Sequence, residues 1–275
     1  MRSIQLSEIA LFDLEPHGPD TFVGIGPRYP WGGLFGGQIV AQSLRAAAAT
    51  VEPDQQVHSL RAYFIRRGDH TEPIRFEVDR IRNGRSFSTR RVVARQAVGA
   101  ILNLEASFQL AEPTADITTV PFDDDMPRPD SLESDAWWEG FDRRSVPRTS
   151  LTADLRTGAG RAAAWMRTNA QPGDDQLLHR CWMAYMSDDM PAESVHATHP
   201  EFRDTEGITY NASLDHTIWF HRPFRADEWH LYDFTCHGYV GARGLSIGSV
   251  FTREGVHVAT VAQEVLVRDR RSKAE

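Results

Sequence analysis

Two adjacent carboxylates, Asp188 and Asp189, stand at the end of one segment with a helical apolar face, and Gly36 and Gly37 stand at the start of another. A carboxylate at a helix C-terminus lies at the unfavourable end of the dipole, which raises the cost of ionising it and suits a general base. A solvated surface pair has the same spacing. The run Leu34-Phe35-Gly36-Gly37-Gln38 lets the backbone approach a ligand and leaves free N–H groups at a helix mouth. Such a mouth can hold a carbonyl oxygen as it becomes negative. The same glycines also suit a helix packed tightly on its sheet, so spacing alone leaves both readings open.

Other motifs carry less. Gly244-Leu245-Ser246-Ile247-Gly248 satisfies G-x-S-x-G, but that motif works only as a strand–turn–helix elbow. Here a strand-like stretch with Val250 and Phe251 follows, and His257 precedes Asp269, the reverse of the order an elbow enzyme needs. Ser246 therefore reads as a strand residue. His196-x-x-His199 and His216…His221 are the densest groups among 11 histidines, yet no paired cysteine or carboxylate-rich loop accompanies them, so no metal is implied. Gly24-x-Gly26 lacks the third glycine of a dinucleotide loop.

The elements that must position these residues follow from periodicity. Gly36–Val51 reads as a helix, with Ile39, Val40, Ser43, Leu44 and Ala47 on one face. His58–Arg66, Pro73–Arg82, Ser86–Gln96 and Ala100–Leu110 alternate with period two and are separated by turn signals at Gly68-Asp69, Asn83-Gly84 and Gly99. The short connections argue for an antiparallel sheet packed on the helix. After Leu110 the periodicity fails through an acidic, proline-containing stretch ending near Pro147, which reads as a linker or surface crossing. Then the order recurs: a strand-like stretch at Arg161–Thr168, a helix at Asp175–Met186 with Leu177, Leu178, Cys181, Trp182 and Tyr185 on one face, and strands at Thr209–Phe220, Glu228–Gly238, Ala242–Thr252 and Val256–Val267. An offset of about 156 residues lays Tyr63-Phe64 on Trp219-Phe220 and Gly99 on Gly255. The expected fold is α+β in two similar units, residues 1–112 and 148–275, joined by an acidic segment at 113–147.

The chain of 275 residues carries 30 basic and 38 acidic side chains, a formal charge of −8. No global positive field exists for a phosphate backbone, so nucleic acid is not an expected partner. Lys273 is the only lysine. No window approaches the apolar length of a membrane span, and the opening stretch has no apolar run of signal-peptide length. Two cysteines, Cys181 and Cys236, make no disulfide framework, and the expectation is a cytoplasmic protein.

Gly32–Leu44 (GGLFGGQIVAQSL), Val57–Asp69 (VHSLRAYFIRRGD), Asn83–Gln96 (NGRSFSTRRVVARQ), Ala184–Asp189 (AYMSDD), Ala212–Trp229 (ASLDHTIWFHRPFRADEW) and Val261–Glu264 (VAQE) resemble the bacterial type II (TesB-type) acyl-CoA thioesterases. The run DHTIWFHRPF is long and unusual, which makes the match specific. The resemblance implies a double hotdog fold: two tandem repeats, each a long helix wrapped by an antiparallel sheet. It also implies a water-orienting triad that falls on Asp188, Ser213 and Gln263, with Ser213 standing where better-known members carry threonine. The family's first-half histidine falls on His58.

The implied chemistry needs neither cofactor nor metal. A thioester carbonyl is already electrophilic, so Asp188 would take a proton from a water held by Ser213 and Gln263. Gly36 and Gly37 are candidates for the oxyanion site. The arginine-dense stretch from Arg61 to Arg95 offers Arg66, Arg67 and Arg91 for the phosphates of coenzyme A. The partner is then acyl-CoA, in a homo-oligomeric enzyme. Two alternatives stand beside this: a non-catalytic acyl-CoA binder, and an enoyl-CoA hydratase or dehydratase, whose Asp-x-Asn-Pro-x-His signature is absent around Asp215.

Overall fold

The computed structural model describes residues 8–151, 160–198 and 209–269. A single 3-10 turn (Glu8–Phe12) and two short strands, β1 (Glu15–Pro16) and β2 (Thr21–Gly24), precede the first helix, α1 (Gly36–Ala48). Four long strands follow: β3 (Gln55–Phe64), β4 (Ile74–Asn83), β5 (Phe87–Gln96) and β6 (Gly99–Leu110). The second half contains β7 (Phe141–Ser145), β8 (Arg161–Thr168), α2 (Gln176–Ser187), α3 (Pro191–Thr198), β9 (Thr209–Ser213), β10 (Asp215–Phe220), β11 (His230–Val240), β12 (Arg243–Thr252) and β13 (His257–Asp269).

The strands form one antiparallel sheet in the order β1-β2-β4-β5-β6-β3-β10-β13-β12-β11-β8-β7, with β9 paired to the far part of β13. Outward from the central β3–β10 pair the order β3-β6-β5-β4 is matched by β10-β13-β12-β11. The hairpins β5–β6 and β12–β13 each carry a bulge, between Ala94 and Arg95 and between Val250 and Phe251. Their turns hold Gly99 and Gly255 at φ of 105° and 84°, a backbone region that side chains with a Cβ disfavour. The bulges and the turn glycines thus recur at the 156-residue offset seen in sequence.

Period-two alternation decides which side chains enter the core. On β5, Ser88, Arg90, Val92 and Ala94 point inward, and on β10 His216, Ile218 and Phe220 do. One core runs across both halves: Leu60, Phe76 and Ala106 belong to the same packed cluster as Ile218, Phe234 and Val261. The small residues of α1 let it lie close on β3–β6, whereas Trp182, Tyr185 and Met186 make α2 a bulkier element packed against α1. Arg90 is buried inside and, among the described residues, pairs with no carboxylate. It donates to the carbonyl oxygens of Thr50, Arg82 and Thr89, to Thr50 Oγ1 and to Asn83 Oδ1, closing off the chain just after α1. That end comes at Ala48, earlier than the periodicity predicts.

Three features depart from the sequence expectation. The acidic crossing contains a strand, β7, which extends the sheet edge beyond β8. Its inward positions are Phe141 and Arg143, and the buried arginine hides the alternation. A further helix, α3, packs on β8, β11, β12 and β13. The segment expected as one strand from Thr209 to Phe220 is two, broken at Leu214.

Candidate active site

The helix α2 begins with Asp175 accepting from the N–H groups of Leu177 and Leu178, and it ends at Asp188. The end is set by Pro191, which opens α3 and disfavours helical backbone in the residue before it. Asp188 is 9% exposed. Its Oδ1 accepts from Ser213 Oγ at 2.9 Å, and Gln263 Nε2 donates to Ser213 Oγ at 2.8 Å. The structure therefore joins all three residues of the expected triad in one hydrogen-bonded chain.

The break at Leu214 makes this possible. Strict alternation would put Ser213 and His216 on opposite faces of a strand. Instead the Leu214 N–H bonds to Glu264 O, its carbonyl accepts from Phe64 N, and Asp215 Oδ1 takes the Glu264 N–H at 2.6 Å. Ser213 and His216 then both face inward. His216, fully buried, bonds through Nδ1 to Gln263 Oε1 and through Nε2 to Ser187 Oγ at 2.9 Å. Neither His216 nor Ser187 was singled out for this role by the sequence; the Asp215-His216 pair in the DHTIWFH run was the available signal.

The mouth of α1 completes the site from the first half. A Cβ on Gly36 would lie 2.5 Å from Asp188 Oδ2 and 2.9 Å from the Phe64 ring, and one on Gly37 would lie 2.1 Å from the Tyr185 carbonyl oxygen. Gly36 thus gives room to the carboxylate, and Gly37 lets α1 and α2 touch. The Gly37 N–H faces the Asp188 carboxyl. Asp188 sits at the wrong end of its own helix dipole and at the right end of the α1 dipole.

Burial pushes the Asp188 carboxyl up to about 7; the hydrogen bonds from Ser213, Gln263 and Gly37 pull it back, and neighbouring Asp189 adds to the rise. Asp189 is held apart from this. Its Oδ1 accepts from Trp137 Nε1 at 2.6 Å, and its Oδ2 pairs with Arg143 Nε at 2.9 Å. Arg143 also pairs with Glu193 and, at 3.6 Å, with Asp135. Above the α1 mouth, Tyr29, Trp31, Phe35, Trp137 and Tyr185 pack ring against ring, with Trp31 partly open to solvent.

The remaining sequence candidates lie elsewhere. His58 bonds to Ser107 Oγ at 2.8 Å beside the Phe87 ring and makes no bond to the triad. Arg67 donates to Trp31 O at 3.0 Å, next to Gly33, and so flanks the segment leading to the α1 mouth. Arg66 donates to Ala100 O, and Arg91 is paired with Glu105 on an exposed face. Ser246 lies mid-strand, bonded to Ser194 of α3 at 2.7 Å. His221 bonds to Thr260, away from His216. His196 is on α3, and His199 lies outside the described residues.

Comparison with known proteins gives the family. Residues 26–109 match the model of an acyl-CoA thioesterase N-terminal domain, and residues 115–267 that of an acyl-CoA thioesterase C-terminal domain. Mouse acyl-coenzyme A thioesterase 8 is 34% identical over 98% of this chain and 90% of its own length. An acyl-CoA thioesterase II of Mycobacterium marinum is 40% identical, with a TM-score of 0.84, and covers 96% of this chain and 98% of its own. A protein of unknown function from Alicyclobacillus acidocaldarius, described as having a hot dog fold, is 18% identical and has a TM-score of 0.76 over 96% of this chain and 99% of its own. That last likeness speaks to the fold alone, and the fold is a hotdog.

Proposed function

Given that the chain belongs to the TesB-type acyl-CoA thioesterase II family, and is by that membership a thioester hydrolase acting on acyl-CoA, we propose that it cleaves fatty acyl-CoA by direct attack of a water activated by Asp188. The observation that carries this is the buried Asp188–Ser213–Gln263 chain at the mouth of α1. Asp188 takes a proton from the water as its oxygen bonds to the thioester carbonyl carbon. Ser213 and Gln263 hold that water in line. The negative oxygen that forms is met by the N-terminal end of α1 at Gly36 and Gly37. Collapse breaks the C–S bond, the proton passes to the leaving thiolate, and free acid and coenzyme A result. A base with its affinity for protons near neutrality serves both halves of this cycle.

In this reading the fold is a double hotdog, with tandem repeats at 1–112 and 148–275 joined by the crossing at 113–147. The mirrored strand order and paired bulges support it. Arg67, and beside it Arg66, receive the coenzyme A phosphates at the rim; Arg91, engaged with Glu105 on an exposed strand face, and His58, engaged with Ser107, take lesser parts. The reading extends to a cytoplasmic homo-oligomer, and sedimentation of the full chain tests the assembly.

The decisive test is thiol release from short- to long-chain acyl-CoAs by wild type and Asp188→Asn together. Wild type is expected to hydrolyse at least part of the series. The variant is expected to lose turnover by a factor on the order of 10²–10⁴ while keeping acyl-CoA affinity. Unchanged turnover would remove Asp188 from the mechanism; binding without hydrolysis in wild type would favour the non-catalytic binder.

A further inference from the structure

The hydrogen-bond chain does not stop at Gln263, and its polarity can be traced atom by atom. An ionised Asp188 only accepts, so the single Ser213 hydroxyl proton points to Oδ1. Ser213 Oγ then accepts from Gln263 Nε2, which turns Gln263 Oε1 toward His216 Nδ1. An amide oxygen only accepts, so Nδ1 must carry the imidazole proton. In a neutral ring the other nitrogen is then bare and accepts from the Ser187 hydroxyl. Each assignment follows from the one before it. Burial favours the uncharged ring that this requires, holding His216 down at about 4. His216 and Ser187 are completely buried and Gln263 is 1% exposed, so no bulk solvent can substitute for a missing partner.

A chain of opposite polarity also closes. His216 Nε2–H would donate to Ser187, whose own proton would go to Ala184 O at 3.2 Å; the Gln263 amide would turn over, and Ser213 would donate to Gln263. That arrangement sets the Asp188 carboxylate against the lone pairs of Ser213 Oγ at 2.9 Å. It is relieved only when Asp188 is protonated, which is the state of a base already used.

We propose that His216, as its neutral Nδ1–H tautomer, is a positioning residue that holds the Gln263 amide in the orientation in which Ser213 donates to Asp188, with Ser187 fixing that tautomer. This rests on Asp188 being the base. His216 touches no substrate; it acts through Gln263.

Two measurements on the full chain test it. With ¹⁵N-labelled histidine, the His216 signal, assigned by its loss in His216→Asn, is expected to report a neutral ring protonated at Nδ1 at pH 8. An Nε2–H tautomer or a charged ring there would overturn the proposal. In kinetics, His216→Leu removes the donor and is expected to lower kcat roughly 10- to 100-fold, as for one hydrogen bond coupled to a charge, with KM changed less than about twofold. His216→Asn can place an amide N–H near the Nδ1 position and is expected to recover most of that loss. Equal impairment of Leu and Asn variants, or full activity in the Leu variant, would refute a positioning role. Should His216→Leu not fold, Ser187→Ala decides the matter, since it is expected to mix the tautomers and lower kcat severalfold; an unmixed spectrum with unchanged kcat counts against the proposal. A wild type with no activity on any acyl-CoA would overturn the Asp188 reading, and the tautomer spectrum would still decide where the His216 proton resides.

Discussion

At the scale of the residue, Asp188 combines burial with a small set of donors, and both consequences are measurable. A carboxyl pushed up to about 7 from its ordinary 3.8 is mostly ionised only above neutrality. The acidic limb of kcat/KM is therefore expected near pH 7, falling tenfold per pH unit below it. Ser213→Ala removes a hydrogen bond that favours the carboxylate, so the limb is expected to move to higher pH, read from a pH–rate profile. The same shift has an opposite meaning for stability. Between pH 4 and 7 the folded chain holds a proton that the unfolded chain releases, so this group's contribution is full below pH 4 and is lost as pH rises through 7. The loss is on the order of a few kcal/mol. Asp188→Asn, poor in activity, is expected to melt higher than wild type at pH 8 and to show no gain near pH 4; equal melting shifts at both values would contradict a strained carboxylate.

At the scale of the element, the site depends on how closely two helices approach. Alanine in place of either mouth glycine should favour helix by a few tenths to about 1 kcal/mol on propensity alone. Gly37→Ala nevertheless drives a Cβ into the Tyr185 carbonyl, a backbone atom that cannot rotate away. It is expected to lower stability by roughly 1–3 kcal/mol, as overpacking does, and to reduce activity with it. Gly36→Ala meets the Asp188 carboxylate and the Phe64 ring, which can shift. Its expected signature is a fall in kcat larger than its effect on the melting temperature. Thermal melts and thiol-release kinetics on the two variants separate these outcomes.

At the scale of the whole molecule, the site is assembled from both halves. Gly36, Gly37 and Phe64 come from the first, and Asp188, Ser213 and Gln263 from the second. At the 156-residue offset Val57 and Leu60, both buried, stand where Ser213 and His216 stand, so the first half carries apolar core where the second carries a hydrogen-bonded polar chain. The crossing segment then fastens the arrangement: Trp137 and Arg143 reach from it to Asp189, beside Asp188. Burial raises Asp189 and Glu193, and Arg143 opposes the rise in both. Arg143→Met leaves the buried Asp189 carboxyl without its cation, and is expected to cost about 3–5 kcal/mol where Asp189 is charged; half-exposed Glu193 adds little, since water screens it. The penalty should be larger at pH 8 than at pH 5, because protonation at low pH relieves it; denaturant melts at the two values check the sign.

Much of this was legible in the chain itself. The apolar face of α1, the alternating strands and the doubled order were readable because period and turn chemistry are local properties, and α2 and its terminal carboxylates followed from the same reasoning. The triad residues came from a resemblance in motifs such as AYMSDD and DHTIWFHRPF, since nothing local marks Gln263 as different from any other strand glutamine. What local pattern could not yield was decided by contacts between distant segments. Strand β7 hides behind a buried arginine whose nearest carboxylates, Asp189 and Glu193, come from the end of α2 and from α3. Ser213 and His216 share a face only because the β9–β10 break is paid for by Glu264 and Phe64 from neighbouring strands. The sequence determined which residues were available and which elements carried them. Only the packing of α1 on α2, and the desolvation that comes with it, decided that Asp188 would be a carboxylate poised near neutrality rather than a charge in water.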